Sequence, residues 1–299
     1  DIAEQSSNVG QFNGFYAQPA LFGVKRTTGK ALDDSDTRGF VEVEIVGNTK
    51  SIFYEYAIID GENFGPGNVT WNPVIGTYGT ATEEFKALDC VVVVPHVQVR
   101  CRMNQGAGRK HSWSLIIGDQ LSRSPTSSYG IPEVSSLSGP GASFASTNGG
   151  QAVKIEGLNF GPYPTGALVT YGESGQEYTA SDCVVASHTE VNCMTVPGTG
   201  EKLYWRVTVR SQSSILGKTT SYAGPVIHSI SPATSSTLGS ELSREKIVLN
   251  TSNSGLQDPA SKREIWFGAL TSSVPNYYVI IPLSDPELTK TTADGFDIL

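Results

Sequence analysis

Short stretches of alternating apolar and polar residues recur along this chain, separated by clusters of Gly, Ser, Asn and Pro. Residues 40–46 (Phe40-Val41-Glu42-Val43-Glu44-Ile45-Val46) alternate strictly and predict a strand with one wet face, added at the edge of a sheet. The pairs 89–94 with 98–101, and 182–185 with 190–193, alternate on either side of a tight turn and predict hairpins. The runs Ser112-Trp113-Ser114-Leu115-Ile116-Ile117 and Leu203-Tyr204-Trp205-Arg206-Val207-Thr208-Val209 predict further strands. No long run carries the 3.6-residue period of an amphipathic helix, so the fold class is all-β.

The pattern repeats at the scale of a domain. Tyr16-Ala17-Gln18-Pro19, Tyr129-Gly130-Ile131-Pro132 and Tyr222-Ala223-Gly224-Pro225 each precede an apolar run, and they stand one small domain apart. In the second repeat, about seven strands with turn signals every 8 to 12 residues give the spacing of an immunoglobulin-like sandwich. The first repeat follows the same order with some twenty extra residues. The expected organisation is residues 1–18 as a strand completing a neighbouring module, then modules at 19–130 (with an insertion), 131–224 and 225–299, the last incomplete.

Composition narrows the setting. A net charge of −8 disfavours nucleic acid as a partner, and no stretch of apolar residues in this segment is long enough to span a bilayer. The four cysteines fall as two local pairs, Cys90 with Cys101 and Cys183 with Cys193, each opposed across a predicted hairpin. That placement predicts two disulfides and an oxidising, extracellular or luminal compartment. A zinc site would need two more soft ligands close by, and neither a Cys-x-x-Cys nor a paired histidine is present. The chain starts at Asp1 without Met, which predicts a processed product or a window of something longer.

Four features together resemble the IPT/TIG family, the immunoglobulin-like fold shared by plexins, related receptors and some transcription factors. They are Gly157-Leu158-Asn159-Phe160-Gly161 after a strand, the strand Val169-Thr170-Tyr171-Gly172, the hairpin ending Cys193-Met194-Thr195-Val196-Pro197-Gly198, and the opening from Pro225 to Pro232. The first module echoes the glycine motif as Gly61-Glu62-Asn63-Phe64-Gly65. In the third, residues 247–255 stand in its place, Glu264-Ile265-Trp266-Phe267-Gly268 follows, and the cysteines are missing. The resemblance implies tandem IPT/TIG-like β-sandwiches in a linear array. It implies no single function, because such a fold hosts receptors, DNA binders and enzyme appendages alike.

The two ends of the sequence are complementary in length. Phe296 lies as far beyond Pro225 as Leu203 lies beyond Pro132, so the third module is expected to stop at its penultimate strand. Residues 4–10 echo residues 211–217, the closing strand of the second module, and 225–299 plus 1–18 together match the span of one module. Val9, Phe12 and Phe15 are therefore candidates for a lent strand, with Phe296 and Ile298 bordering the gap it fills. The expected partners are copies of the chain, or adjacent repeats, joined end to end.

Little else points to chemistry. Asn68-Val69-Thr70 and Asn250-Thr251-Ser252 are sequons, so covalent glycans are expected at Asn68 and Asn250. Ser/Thr/Pro clusters at 122–128 and 231–237 are weaker O-linked candidates. Residues 33–39 superficially resemble a calcium loop, but Arg38 occupies a ligand position, and a solvated acidic loop is expected instead. His96 and His188 fall at matching hairpin tips; Trp71, Trp113, Trp205 and Trp266 are expected in sandwich cores. No nucleophile elbow, phosphate loop or metalloprotease helix occurs, so neither an enzyme nor a cofactor is expected. The reading is a structural subunit of an extracellular glycosylated filament, stalk or surface fibre. The rivals are a receptor-like ectodomain that binds a protein or glycan, and an accessory region of a carbohydrate-active enzyme.

Overall fold

The computed structural model describes residues 16–45, 49–67, 73–81, 83–231, 247–255, 289–290 and 295–298. Every regular element among them is a β-strand, each ladder is antiparallel, and no helix is long and apolar enough to cross a membrane. The chain divides into two units, Asp1–Ile131 and Pro132–Leu299.

The first unit contains β1 (Ala20–Arg26), β2 (Phe40–Ile45), β3 (Thr49–Tyr54), β4 (Tyr56–Glu62), β5 (Ile75–Thr80), β6 (Glu83–Lys86), β7 (Leu88–Val94), β8 (Gln98–Arg102), β9 (His111–Ile117) and β10 (Gln120–Ser127). One sheet runs β1-β4-β8-β7 and the other β10-β9-β5-β6. Period-2 alternation sends one face of each inward: Ala57, Ile59, Val99 and Cys101 from the first meet Tyr78, Trp113, Leu115 and Ile117 from the second. The strand expected at a sandwich edge is placed differently. Among the described residues β2 pairs only with β3, from Phe40↔Tyr54 to Ile45↔Thr49, as a separate two-stranded hairpin. Thr49–Tyr54 follows at once in sequence and takes the β2 ladder before any sandwich strand can, because short-loop antiparallel pairing loses the least chain entropy.

The second unit repeats the plan with β11 (Glu133–Ser138), β12 (Ala152–Leu158), β13 (Ala167–Gly172), β14 (Tyr178–Thr179), β15 (Ser181–Ser187), β16 (Glu190–Met194), β17 (Leu203–Val209), β18 (Gln212–Ser213) and β19 (Thr219–Thr220). Its sheets are β11-β12-β16-β15 and β14-β13-β17-β18, with β19 on the other edge of β17. Further strands β20 (Val226–Ser231), β21 (Ile247–Ser252), β22 (Thr289–Lys290) and β23 (Gly295–Ile298) form a sheet β20-β21-β23-β22. Its order corresponds to that of β11-β12-β16-β15.

That correspondence corrects the length-based register. β23 pairs with β21 as Leu249↔Phe296 and Ile247↔Ile298, just as β16 pairs with β12 as Ile155↔Val191 and Val153↔Cys193. Phe296 thus takes the place of Val191, not of Leu203. Counting from a proline assumes equal loops, whereas strand identity is set by which neighbour completes the ladder. Val9, Phe12 and Phe15 lie outside the described residues, as do Asn68, Trp71 and Trp266.

Both cysteine pairs are disulfides, Cys90–Cys101 and Cys183–Cys193. Each sits at a bulge. Asp89 and Cys90 together oppose Cys101 between Leu88↔Arg102 and Val91↔Arg100, and Asp182 with Cys183 opposes Cys193 in the same way. The extra residue is Asp89 (φ 49°) or Asp182 (φ 50°), a side chain that tolerates left-handed backbone. Residues 33–39 are not merely solvated: Asp34 pairs with Arg26, the Asp36 carboxylate accepts from Arg38, and Ser35 is buried in a bridge to Tyr129.

Candidate functional site

Each sandwich is closed by its own Tyr-x-x-Pro tyrosine. In the first unit Trp113 stacks on Tyr78 with ring centroids 4.5 Å apart, and its indole N–H donates to Ser127 Oγ at 2.9 Å. Tyr129 then reaches in beside them. The Asn104 amide donates to the Tyr78 hydroxyl (3.0 Å), the two tyrosine oxygens are 2.6 Å apart, and Tyr129 donates to the Asn104 carbonyl (2.7 Å). Three polar groups satisfy one another in a closed circuit inside an apolar core, the condition under which a buried polar network holds one arrangement.

The second unit builds the same circuit from different backbone. Trp205 stacks on Tyr171 at 4.4 Å and donates to Thr220 Oγ1 at 2.8 Å. The Val196 amide donates to the Tyr171 hydroxyl (2.9 Å), Tyr171 and Tyr222 are joined at 2.6 Å, and Tyr222 donates to the Val196 carbonyl. Backbone bonds tie the closing segment to the loop after the first strand: Ala145 N–H to Ser221 O, and Ala223 N–H to Ala145 O. The tyrosines read as punctuation between modules therefore belong to the module they end. No local pattern reveals this, because each bond joins residues 51 positions apart.

Burial raises the pKa of Tyr78, Tyr171 and Tyr222; for Tyr78 it reaches about 12, although the bond to Tyr129 opposes the shift. The folded state holds them neutral, so their stabilisation is complete below the unfolded value of about 10 and is lost as pH rises toward about 12. Thermal melts should be flat up to pH of about 10, then fall steeply while tyrosinate absorbance appears. Tyrosinate absorbance that rises near pH 10 with no loss of melting temperature would contradict this.

The third Tyr-x-x-Pro tyrosine behaves in the opposite way. Tyr16 is 94% exposed, whereas Tyr129 is 0% and Tyr222 5% exposed. Its backbone is nevertheless held. Gln120 Nε2 donates to Tyr16 O (3.0 Å), Gln18 Nε2 to Leu121 O (2.6 Å), and Asn63 Nδ2 to Gln18 O (3.1 Å). Three amide side chains thus fasten the segment to the first sandwich and leave the phenol standing in solvent. Asn63 is available because the Gly61–Gly65 motif sets it at φ 65° beside that segment.

Other sequence candidates fall as follows. Asn250 is exposed on β21, paired to Ser229 and Gly295, and Ser252 of the same sequon bonds His228 at 2.9 Å. Phe296 and Ile298 lie in β23. His96 and His188 hold hairpin tips through carbonyls that accept from Phe64 and Phe160. Among the described residues no group of three or more His, Cys, Asp or Glu could hold a metal ion.

Residues 132–222 match the family model of the IPT/TIG domain. No curated protein sequence matches the chain. Among solved structures the chain is similar to SGBP-B from a complex xyloglucan utilization locus in Bacteroides uniformis, at 14% identity over 68% of this chain and 49% of that one (TM-score 0.25). It is similar to the plexin A4 extracellular region at 15% identity over 93% and 20% of the two chains (TM-score 0.30). A tandem from titin is similar at 10% identity over 92% and 89% (TM-score 0.27). This chain spans about half of the first of these and a fifth of the second. None of these likenesses assigns it an activity.

Proposed function

We propose that this chain, whose second module is an IPT/TIG domain, is an extracellular structural subunit of a glycosylated filament, stalk or surface fibre. Modules join end to end, as copies or as adjacent repeats, when the segment leading into Tyr16 completes a sandwich that lacks its closing tyrosine. The observation that carries this reading is Tyr16 itself, a member of the set that closes each sandwich, fully presented to solvent on a backbone fastened by Gln18, Asn63 and Gln120. Preorganisation of that kind lowers the entropy lost on docking. The β20-β21-β23-β22 sheet supplies a natural receiver: Val226, Ile227 and Ile230 are exposed, and β21 carries its inward Leu249 in the register of Ile155. The lent strand carries Val9, Phe12 and Phe15, whereas Phe296 and Ile298, in β23 between β21 and β22, belong to the receiving sheet and not to the border of the gap. Two disulfides, which persist in oxidising compartments, support the extracellular assignment. Glycans at Asn68 and Asn250 belong to the same reading, and catalysis, cofactors and nucleic acid do not.

The test is assembly of the full chain, followed by sedimentation and negative-stain imaging. Tyr16→Ala should weaken end-to-end association roughly 30-fold, the scale of a lost tyrosine anchor, and Tyr16→Phe much less. A chain shortened to begin at Tyr16 should not polymerise. Unchanged polymers from both the alanine variant and the shortened chain would overturn strand lending. A monodisperse wild-type monomer would favour a receptor-like ectodomain.

A further inference from the structure

The two sandwiches present the same sheet face with different electrostatic character. On the outward face of β1-β4-β8-β7 one row reads Lys25–Ile58–Arg100, and the rows beside it hold Asp60 with Gln98 and Tyr56 with Arg102. On β11-β12-β16-β15 the corresponding rows read Ser138–Lys154–Asn192, then Glu156 with Glu190, and Ala152 with Met194. The first face therefore sets Lys25, Arg100 and Arg102 against Asp60 and Asp89, and the second sets Glu156 and Glu190 around Lys154. Glu62 and Glu133 add one further acid to the far row of each, which leaves the first face balanced and the second acidic.

The details sharpen that contrast. Lys25 pairs with Asp60 (2.5 Å) and Arg102 with Asp89 (2.9 Å), but Arg100 lies over the Tyr56 ring at 4.9 Å and has no carboxylate partner among the described residues. Lys25, Ile58, Val93 and Arg100 line a shallow groove whose apolar floor lies between the two cations. On the second face Lys154 bridges Glu156 (3.0 Å) and Glu190 (3.1 Å), which leaves a net negative centre, and Val184 and Met194 stand exposed beside it. A basic groove with an apolar floor and an acidic ridge with apolar flanks are complementary in both charge and polarity.

We propose that the first face of one copy docks on the second face of another copy, with Arg100 and Lys25 meeting Glu190 and Glu156, and Val184 entering the groove over Ile58. The contact goes beyond the end-to-end joint and uses none of its residues.

The experiment uses the full chain carrying Tyr16→Ala, so that the end-to-end joint is already weakened, with self-association followed by sedimentation against concentration and salt. Arg100→Glu and Glu190→Arg should each weaken association about tenfold, and the chain carrying both should regain most of the loss, because each contact then has opposite charges again. Association should fall as salt rises from about 0.05 to 0.5 M, since exposed pairs are screened beyond the Debye length. Failure of the double variant to recover, absence of any effect from either reversal, or association indifferent to salt would each overturn this contact without touching the end-to-end reading.

Discussion

Trp205→Ala should cost the second unit about 3–5 kcal/mol, the range for removing a large aromatic side chain from a close-packed core. Trp205 is fully buried, stacks face to face on Tyr171, and supplies the proton that satisfies Thr220 Oγ1. Removing it leaves a cavity between the two sheets, an unpaired hydroxyl, and a tyrosine pair without the surface against which it is aligned. Trp113→Ala should do the same to the first unit, where Tyr78 and Ser127 hold the matching places. Urea unfolding of the two variants, with proteolysis to report which unit opens, measures the effect. A loss below about 1 kcal/mol in both would show that the tryptophan–tyrosine stack is not the centre of the sandwich.

The second large effect is expected from one added methyl group. A Cβ on Gly157 would lie 1.8 Å from the Glu133 carbonyl oxygen and 2.7 Å from the Phe160 ring; on Gly61 it would meet Ala20 O at 2.0 Å and the Phe64 ring at 2.3 Å. The obstructing oxygen is backbone of the neighbouring strand, so no rotamer change relieves the overlap. β11 must move away from β12, or the chain must give up the ladder beside Glu133↔Leu158. Gly157→Ala should therefore destabilise by about 3 kcal/mol, the upper part of the range for overpacking. Gly166→Ala, where nothing lies within 4 Å, should be neutral or slightly stabilising. Matching melting temperatures for the two variants would refute the steric account. This geometry also explains the Gly-x-Asn-Phe-Gly motif. The first glycine admits both the adjacent strand and the Phe160 ring, and Asn159 (φ 63°) and Gly161 (φ 86°) turn the chain so that the ring can fold back.

These two substitutions separate what is local in the fold from what is not. The glycine motif, the cysteine hairpins and the alternation of residues 203–209 were legible because turn chemistry and the two-residue period act over a few positions. Trp113 and Trp205 were legible as core for a similar reason, since each occupies the inward phase of its own strand. The β2–β3 hairpin was half legible. Residues 40–46 announced a strand, but its choice of partner depended on Thr49–Tyr54, a run whose alternation is weak. Phe296 takes a different place because the number of residues between β21 and β23 differs from that between β12 and β16, and the alternation of a short strand carries no label of its neighbour.

The candidate site shows the same division more sharply. The recurrence of Tyr16, Tyr129 and Tyr222 is a property of the sequence alone, as are the all-β class and the two cysteine pairs. That Tyr129 and Tyr222 turn inward to complete a hydrogen-bonded circuit, while Tyr16 stands exposed on a fastened backbone, was decided only by tertiary structure. Burial and hydrogen bonding of a side chain depend on what surrounds it, and here the surroundings come from strands half a module away. The different charge patterns of the two outward sheet faces arose the same way: Lys25, Ile58 and Arg100 become one row only when three strands align in register.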